Sequence, residues 1–421
     1  GNVDAITGDV SDMNTFIDNI ADFVENNGST ARPENNYTFT PTAATQSVSE
    51  LNTLNSSASN ISLTNVTAFS AADLTDLQTF HDNFTDFSLY TGIATITLTD
   101  NGGSGSSVDF SGLKSIIDDY QDDINAAVTF KFQSADDIAI DNDAVELAAF
   151  LADIDSNALT LTNQTVTINS SLAISIANAR SVAAATLGVV TATIASSRVS
   201  DLTALRDPGT GPEENNWTIT LHEDDAENEV TAAELNSLTS ATSATLDLNV
   251  ITELKASDLD DLTTFHNNRG DFSNTDSIAT INISDNGASG AGTAVDYTTL
   301  EDIIDNFRAA GADGINPSAV FKLAGGDDIA IDDSTEITAF LADINSGALD
   351  LTTQNVVVDS SAPLSVTNAR TIADEISGTV TATIATASRI SALTTLHNTG
   401  SGTETNAWTI AINSADAANE V

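Results

Sequence analysis

Short segments in which apolar and polar residues alternate recur along the whole chain. Alternation with β-branched residues is typical of strands that have one buried face and one solvated face. The fourteen segments begin at Val3, Tyr37, Ile61, Ala94, Val128, Leu159, Val190, Trp217, Ala244, Ala279, Val320, Leu349, Val380 and Trp408. Their spacing predicts one strand about every 31 residues.

Helical patterns lie between the predicted strands. An apolar stripe from Leu147 to Ile154 has the i, i+3, i+4, i+7 spacing of an amphipathic helix, and the stripe returns from Ile337 to Ile344. Five segments also place a capping residue three positions before an acid, which is typical of a helix start. These pairs are Ser47 with Glu50, Ser70 with Asp73, Thr231 with Glu234, Thr298 with Glu301, and Asp333 with Glu336. Each step is therefore expected to contain a strand, a loop and a short capped helix.

The chain also repeats itself on a longer scale. FHDNFTDF at Phe80 matches FHNNRGDF at Phe265, and VTATIA at Val190 returns at Val380 with nearly the same spacing. Such self-similarity indicates a repeat architecture. We predict long tandem units at approximately 1–187, 188–377 and 378–421, the last one partial, and we expect the chain to be an excerpt of a longer polypeptide.

The two periods together predict an α/β fold. We expect a repeat solenoid of about 31-residue strand–loop–helix coils, with a parallel sheet on one side and short helices on the other. Strands covered by helices on both faces would be continuously apolar, whereas these alternate, so one face of the sheet is expected to be open. Residues 1–421 are then one continuous solenoid. An array of β-sandwiches is the alternative, and the capped helical stripes disfavour it.

The composition restricts the classes of partner. The chain has 12 basic and 61 acidic residues, so its formal net charge is 12 − 61 = −49. Such a charge repels nucleic acid and anionic lipid. No run of about 18 apolar residues is present, so no membrane insertion is expected. Because there is no cysteine, disulfides and thiolate metal sites are excluded.

The segment DDIAID occurs twice, from Asp136 and from Asp327, and suggests a cation site. Carboxylate oxygens are the ligands that Ca²⁺ prefers, and Ca²⁺ is the only cofactor that this sequence suggests. The candidate ligands are Asp136, Asp137, Asp141, Asp143, Asp327, Asp328, Asp332 and Asp333. The alternative is a corner of the fold, in which Ile138 and Ile140 point inward from a short strand and the acids that follow lead into a capped helix. This second interpretation is favoured.

Catalysis is not predicted, and no residue is assigned a catalytic or cofactor-binding role. Paired carboxylates can act as general acid and base in enzymes that cleave polysaccharides. Here, however, the acids repeat in both long units, and the cations repeat with them, as Lys131 does with Lys322 and Arg198 with Arg389. Repeated ion pairs between coils explain this arrangement better than a duplicated active site does.

The repeated units VTATIA, WTITL and VTAAELNSLTSATSATLDL resemble those of long repetitive secreted or cell-surface proteins of marine bacteria, including cyanobacteria. The resemblance covers nearly the whole chain but lies in the style of the repeat, and it transfers no functional residue. It implies an extracellular or cell-surface location and a structural, adhesive or surface-layer role.

We therefore expect an extracellular structural protein, either a repeat segment of a giant surface protein or a subunit of a filament or surface layer. Self-association into a fibre or lattice is the expected partnership. The alternative is an adhesin or phage-fibre-like module that binds glycans along the open sheet, and a polysaccharide-active enzyme is the third possibility.

Overall fold

The computed structural model describes residues 5–19, 37–58, 60–99, 107–133, 137–141, 143–205, 215–226, 230–283, 294–323, 328–351, 353–385, 389–396 and 406–411. Two of the predicted metal ligands, Asp136 and Asp327, lie outside these residues.

This part of the chain contains 26 strands and 13 α-helices. The strands are β1 Ala5–Gly8, β2 Thr38–Pro41, β3 Thr45–Ser47, β4 Ile61–Ser62, β5 Ala68–Ala71, β6 Phe87–Ser88, β7 Thr95–Leu98, β8 Val108–Asp109, β9 Thr129–Phe132, β10 Ile138–Ile140, β11 Leu159–Thr160, β12 Val166–Ile168, β13 Ala173–Ile174, β14 Val190–Ile194, β15 Asn216–Thr218, β16 Leu246–Asp247, β17 Glu253–Ala256, β18 Phe272–Ser273, β19 Thr280–Ile283, β20 Val295–Asp296, β21 Val320–Leu323, β22 Asp328–Ile331, β23 Leu349–Asp350, β24 Asn355–Val358, β25 Val380–Ile384 and β26 Ala407–Ile410. The helices are α1 Val10–Asp18, α2 Val48–Asn55, α3 Leu74–Asp82, α4 Phe110–Asp123, α5 Ala144–Asp155, α6 Ile176–Ala185, α7 Val199–Leu202, α8 Ala232–Thr239, α9 Leu259–Asn267, α10 Tyr297–Arg308, α11 Ser334–Ser346, α12 Val366–Glu375 and α13 Ile390–Leu393.

The chain forms two compact units. Unit 1 comprises Gly1–Ala195 and Asp207–Thr218, and unit 2 comprises Ser196–Arg206 and Ile219–Val421. In unit 1 the strand orders are β1-β2-β4-β6, β3-β5-β7-β9-β11 and β13-β14-β12-β10-β8, with β15 also paired to β14. In unit 2 they are β16-β18, β17-β19-β21-β23 and β20-β22-β24-β25-β26.

Every strand pair in the described residues is parallel, as predicted. The α/β class is thus confirmed, with several parallel sheets where the sequence predicted one. All fourteen predicted segments contain a strand, and the other twelve strands are short. Many steps therefore hold two strands. For example, Pro41 ends β2, and β3 begins only at Thr45 and pairs into a different sheet.

The steps between paired strands vary in length. Phe39 pairs with Ile61, whereas Thr280 pairs with Val320, which lies nearly twice as far along the chain from its partner. Successive helices are in contact from α1 to α6 in unit 1 and from α7 to α12 in unit 2. Both observations agree with a repeat-like α/β fold, whereas the predicted solenoid form and its continuity over 1–421 stay predictions.

In WTITL and ATITLT the alternation predicts correctly which side chains enter the core, whereas in WTIAI Trp408 is half-buried and Ile410 is exposed. Trp217, Ile219 and Leu221 are all buried, and in β7 the buried Ile96 and Leu98 alternate with half-buried Thr residues. Removing these apolar surfaces from water is the main stabilising contribution to such a fold.

Three of the five predicted helix caps are confirmed. Thr231 forms a complete capping box, in which its hydroxyl accepts from the Glu234 N–H at 3.1 Å and the Glu234 carboxylate accepts from the Thr231 N–H at 3.0 Å. Ser47 accepts from the N–H of Glu50, and Asp333 caps α11.

Two of the predicted caps are wrong. Ser70 is still within β5 and cannot cap α3. Asp73 caps this helix instead, and its Oδ1 accepts from the Asp76 N–H at 2.8 Å. Asp296 caps α10, and Thr298 already lies within that helix. In both cases an aspartate next to the helix start provides the cap.

Two glycines at equivalent positions permit a close approach of the backbone. A Cβ atom at Gly188 would lie 2.2 Å from the carbonyl oxygen of Gln164, and one at Gly378 would lie 2.0 Å from that of Gln354. Both glutamines are buried, and Gln354 Nε2 donates to the Leu323 carbonyl at 2.8 Å. Glycine is thus required where each chain segment passes over a buried amide.

We expect Gly378→Ala to lower the free energy of unfolding by about 1 to 3 kcal/mol, because the added methyl group forces the backbone at Gln354 to move. Gly270→Ala is the matched control, since a Cβ there has no neighbour within 4 Å. Urea denaturation followed by circular dichroism measures both. Equal stability of the two variants would contradict the close approach.

Candidate functional site

The described acids of the two DDIAID clusters lie at both ends of a short strand and at the start of the helix that follows, in agreement with the favoured interpretation. Ile138 and Ile140 of β10 are fully buried. Asp137 precedes the strand and accepts a hydrogen bond from the Thr165 hydroxyl. In unit 2, Asp328 occupies the first position of β22 and accepts from Asn355 Nδ2 at 2.7 Å.

The last acid of each cluster is a helix cap. Asp143 Oδ1 accepts from the N–H groups of Val145 and Glu146 at 2.8 and 3.1 Å. Asp333 Oδ1 accepts equivalent bonds from Thr335 and Glu336 at 2.7 and 3.0 Å. These backbone N–H groups lower the pKa of Asp333, because they favour the ionised carboxylate.

One predicted ligand joins two acids that the sequence analysis did not select. Carboxylate oxygens of Asp109, Asp141 and Glu146 all lie within 4.8 Å of one another. Asp141 follows β10, and Asp109 ends the neighbouring strand β8, whose Val108 pairs with Ile138. Glu146 lies in the first turn of α5 and is buried. Asp137 and Asp143 are not part of this carboxylate triad.

The triad consists of hard oxygen donors only, so its chemistry fits Ca²⁺ better than a transition metal. Two members already have protein donors. Asp109 Oδ1 accepts from the Ser111 N–H at 3.0 Å, and Glu146 Oε2 accepts from the Asp141 N–H at 3.1 Å. Each of these two carboxylates also has a second oxygen that could bind a cation.

Unit 2 does not reproduce the triad among the residues that the structure describes. The loop after Ile331 has one residue fewer than the loop after Ile140, since Asp332 and Asp333 take the place of residues 141–143. Glu336 accepts from the Asp332 N–H at 2.6 Å, and its other oxygen accepts from the Thr298 hydroxyl. The Glu336 carboxylate is therefore occupied by protein donors.

Sequence spacing is a partial signal for Asp109, and the register of the sheet is also needed to bring it to Asp141. Asp109 lies about one predicted step before Asp141, and it directly precedes a helix. Glu146 is the acid three positions after the cap Asp143, and such an acid commonly folds back toward the helix start.

Comparison with protein-family models gives no match, and comparison with curated proteins gives none either. Among solved structures, the chain is similar to one described as "Crystal structure of Rad7 and Elc1 complex in yeast", at 11% sequence identity and a TM-score of 0.20. That match covers 84% of this chain and 90% of the other. At this TM-score the likeness carries no argument about fold or function. Within the described residues, no helix is long and apolar enough to cross a membrane.

Asp143→Ala is expected to lower the free energy of unfolding by about 1 kcal/mol, because two N–H groups of α5 lose their acceptor. Asp143→Asn keeps a cap oxygen and should be close to neutral. Urea denaturation in EDTA excludes any effect of bound cations. A loss that is equal for Asn and Ala would show that the charge, not the cap, provides the stability.

If the triad binds Ca²⁺, the melting temperature will rise with added Ca²⁺ and fall in EDTA. At 100 times the dissociation constant the stabilisation is about 2.7 kcal/mol. Asp141→Asn should abolish this response, whereas Asp332→Asn, at the equivalent position in unit 2, should retain it. Melting that is the same in Ca²⁺ and in EDTA would rule out the site.

Proposed function

We propose that the chain is an extracellular structural protein, a repeat segment of a giant surface protein or a subunit of a filament or surface layer. The observation that carries the proposal is the way in which the repeat uses its acids. Most of the candidate ligands that the structure describes serve as strand-end acceptors or helix caps within the repeat. An enzyme normally concentrates such groups in one cleft.

Carboxylates also join successive steps. Side-chain amides or hydroxyls of one step donate to a carboxylate that lies 27 to 31 residues away along the chain. The pairs are Asn55 with Asp86, Thr165 with Asp137, Asn274 with Asp247, Asn282 with Glu253, and Asn355 with Asp328. These bonds hold adjacent steps together. Because such bonds recur along the chain, they set no single step apart as a specialised site.

The fold that we propose for this role is a solenoid of strand–loop–helix coils through residues 1–421, in which successive coils add strands to the parallel sheets. Within each unit, parallel pairing between neighbouring steps and contacts between successive helices support it. A stack of this kind grows by adding coils, which suits an extended structural protein.

The net charge of −49 bears on location and assembly. Neighbouring copies repel one another unless salt screens them, and the screening length falls from about 30 Å at 0.01 M to about 3 Å at 1 M salt. Saline extracellular surroundings would therefore favour self-association, and divalent cations could bridge copies. Calcium at the triad is a separate proposal, which the melting experiment above tests.

One observation favours the alternative, a glycan-binding adhesin. On the outward side of sheet β17-β19-β21-β23, paired positions carry Lys255, Asn282, Lys322 and Asp350 in one row. Such a row offers hydrogen bonds to sugar hydroxyls. Trp217, which could have stacked on a sugar ring, is buried in the core.

If the structural role is right, the purified chain will form fibres or sheets in about 1 M NaCl and will disperse in about 0.01 M NaCl, because salt removes the repulsion between copies. Negative-stain electron microscopy and sedimentation velocity measure this. Lys322→Ala is the matched variant: it should leave assembly unchanged, whereas glycan binding on the row would weaken. A monodisperse monomer at every salt concentration would contradict the proposal.

A further inference from the structure

The two copies of the repeat differ in the charge that they place beside one equivalent aspartate. Asp153 on α5 and Asp343 on α11 occupy equivalent positions, because the segment FLADI that begins at Phe150 returns at Phe340. Each aspartate faces the preceding helix, α4 in unit 1 and α10 in unit 2. Those two helices also correspond, since each begins directly after the dipeptide Val-Asp, whose aspartate caps the helix.

Unit 1 places a cation beside its aspartate. Lys114 Nζ lies 3.9 Å from Asp153 Oδ1 and also pairs with Asp118, one turn further along α4. Phe110 packs edge-on against Phe150, with ring centroids 5.1 Å apart. The Lys114 charge therefore offsets part of the cost of burying Asp153.

Unit 2 replaces this cation with an acid. When α4 and α10 are aligned at their first residues, Glu301 stands at the position of Lys114, and Asp305 stands at that of Asp118. Tyr297 replaces Phe110, packs against Phe340 at 5.0 Å, and donates its hydroxyl hydrogen bond to Asp343 Oδ2 at 2.6 Å. The aspartate thus gains a neutral donor and acidic neighbours.

Negative charge dominates the surroundings of Asp343 and Glu301 at the contact between α10 and α11. In the described part of the chain, the charged groups that act on Asp343 and Glu301 lie on these two helices. Arg308 is the only cation among these groups. The acids are Glu301, Asp302, Asp305, Glu336 and Asp343. Like charges that act on one another in this way disfavour simultaneous ionisation.

The pKa values follow from this geometry. Burial, and then the charge of Asp305, raises the pKa of Asp343, while the Tyr297 hydroxyl and Arg308 oppose the shift. Burial, and then the charges of Asp305 and Asp343, raises the pKa of Glu301. Burial also raises the pKa of Asp153 in unit 1, but there Lys114 opposes it.

We propose that the contact between α10 and α11 is a proton-operated catch, in which proton uptake by Asp343 and Glu301 holds the two helices together. When both groups ionise, repulsion within the cluster loosens the helix pair. The sign follows from linkage: a carboxyl whose folded pKa lies above its unfolded value stabilises the fold fully below the unfolded pKa, and this stability is lost as the pH rises through the folded pKa. The catch does not depend on the proposed structural role.

Hydrogen exchange measured by mass spectrometry on the intact chain tests the catch. The experiment compares about pH 4, near the ordinary pKa of a carboxyl group, with about pH 7.5 in EDTA, after correction for intrinsic exchange rates. Because the proton-bound cluster is the more stable form, protection of α10 and α11 should be lower at the higher pH. Peptides from α4 and α5 should change less, because Lys114 stands there at the position of the acid Glu301.

Reciprocal variants separate this effect from a general loss of stability. Asp343→Asn keeps an acceptor for Tyr297 but cannot titrate, so the pH response of α10 and α11 should largely disappear. Glu301→Lys recreates the arrangement of unit 1 and should have the same effect, whereas Lys114→Glu should give α4 and α5 the pH response of unit 2. If Asp343→Asn or Glu301→Lys fails to fold, Glu301→Gln is measured in its place.

Two results would overturn the proposal. One is an equal change of protection in both helix pairs of the wild-type chain. The other is a full pH response in unit 2 that persists in Asp343→Asn. Circular dichroism at both pH values verifies that each variant is folded, so neither result could be attributed to an unfolded sample.

Discussion

The fold depends on finding hydrogen-bond donors for its carboxylates without relying on cations. With 61 acidic and 12 basic residues, most acids have no lysine or arginine to pair with. The structure uses backbone N–H groups at helix starts, where six aspartates serve as caps, and amides of adjacent steps. Both solutions recur along the chain, so a repeat can satisfy its own acids. An exposed ion pair such as Arg198 with Asp224 contributes little by comparison.

The strands could be predicted where apolar residues alternate with polar ones along the sequence. All fourteen segments such as ATITLT and WTITL contain strands because their β-branched and apolar residues show a period of two. The second strand of a step, such as Phe87–Ser88 or the four-residue Ala68–Ala71, was not among the fourteen segments. The division into several sheets follows from this second strand and was missed with it. Cap errors arose where Asp73 and Asp296 compete with nearby Ser and Thr residues for the same role.

The candidate site could be predicted only in part, because its members come from different steps. Asp141 was selected from a local cluster, but Asp109 reaches it through the pairing of β8 with β10, which requires the register of the sheet. Local density of acids was a poor guide, since Asp137 and Asp143 bond to Thr165 and to the start of α5 instead. Distance in space, and not acid count, determines which carboxylates can share a cation.

Comparison of the two copies shows which features the repeat can change. Both copies retain the caps Asp143 and Asp333, because each accepts hydrogen bonds from backbone N–H groups. Both also retain the glycines at 188 and 378, because each leaves room for a neighbouring backbone carbonyl. The side chain at position 114 or 301 has no such role, and there a lysine stands in one copy and an acid in the other, within the same kind of helix pair. A repeat whose stability lies in its backbone contacts and apolar core can therefore vary its helix surface from step to step. That freedom allows individual steps to acquire different responses to pH or cations without a change of fold.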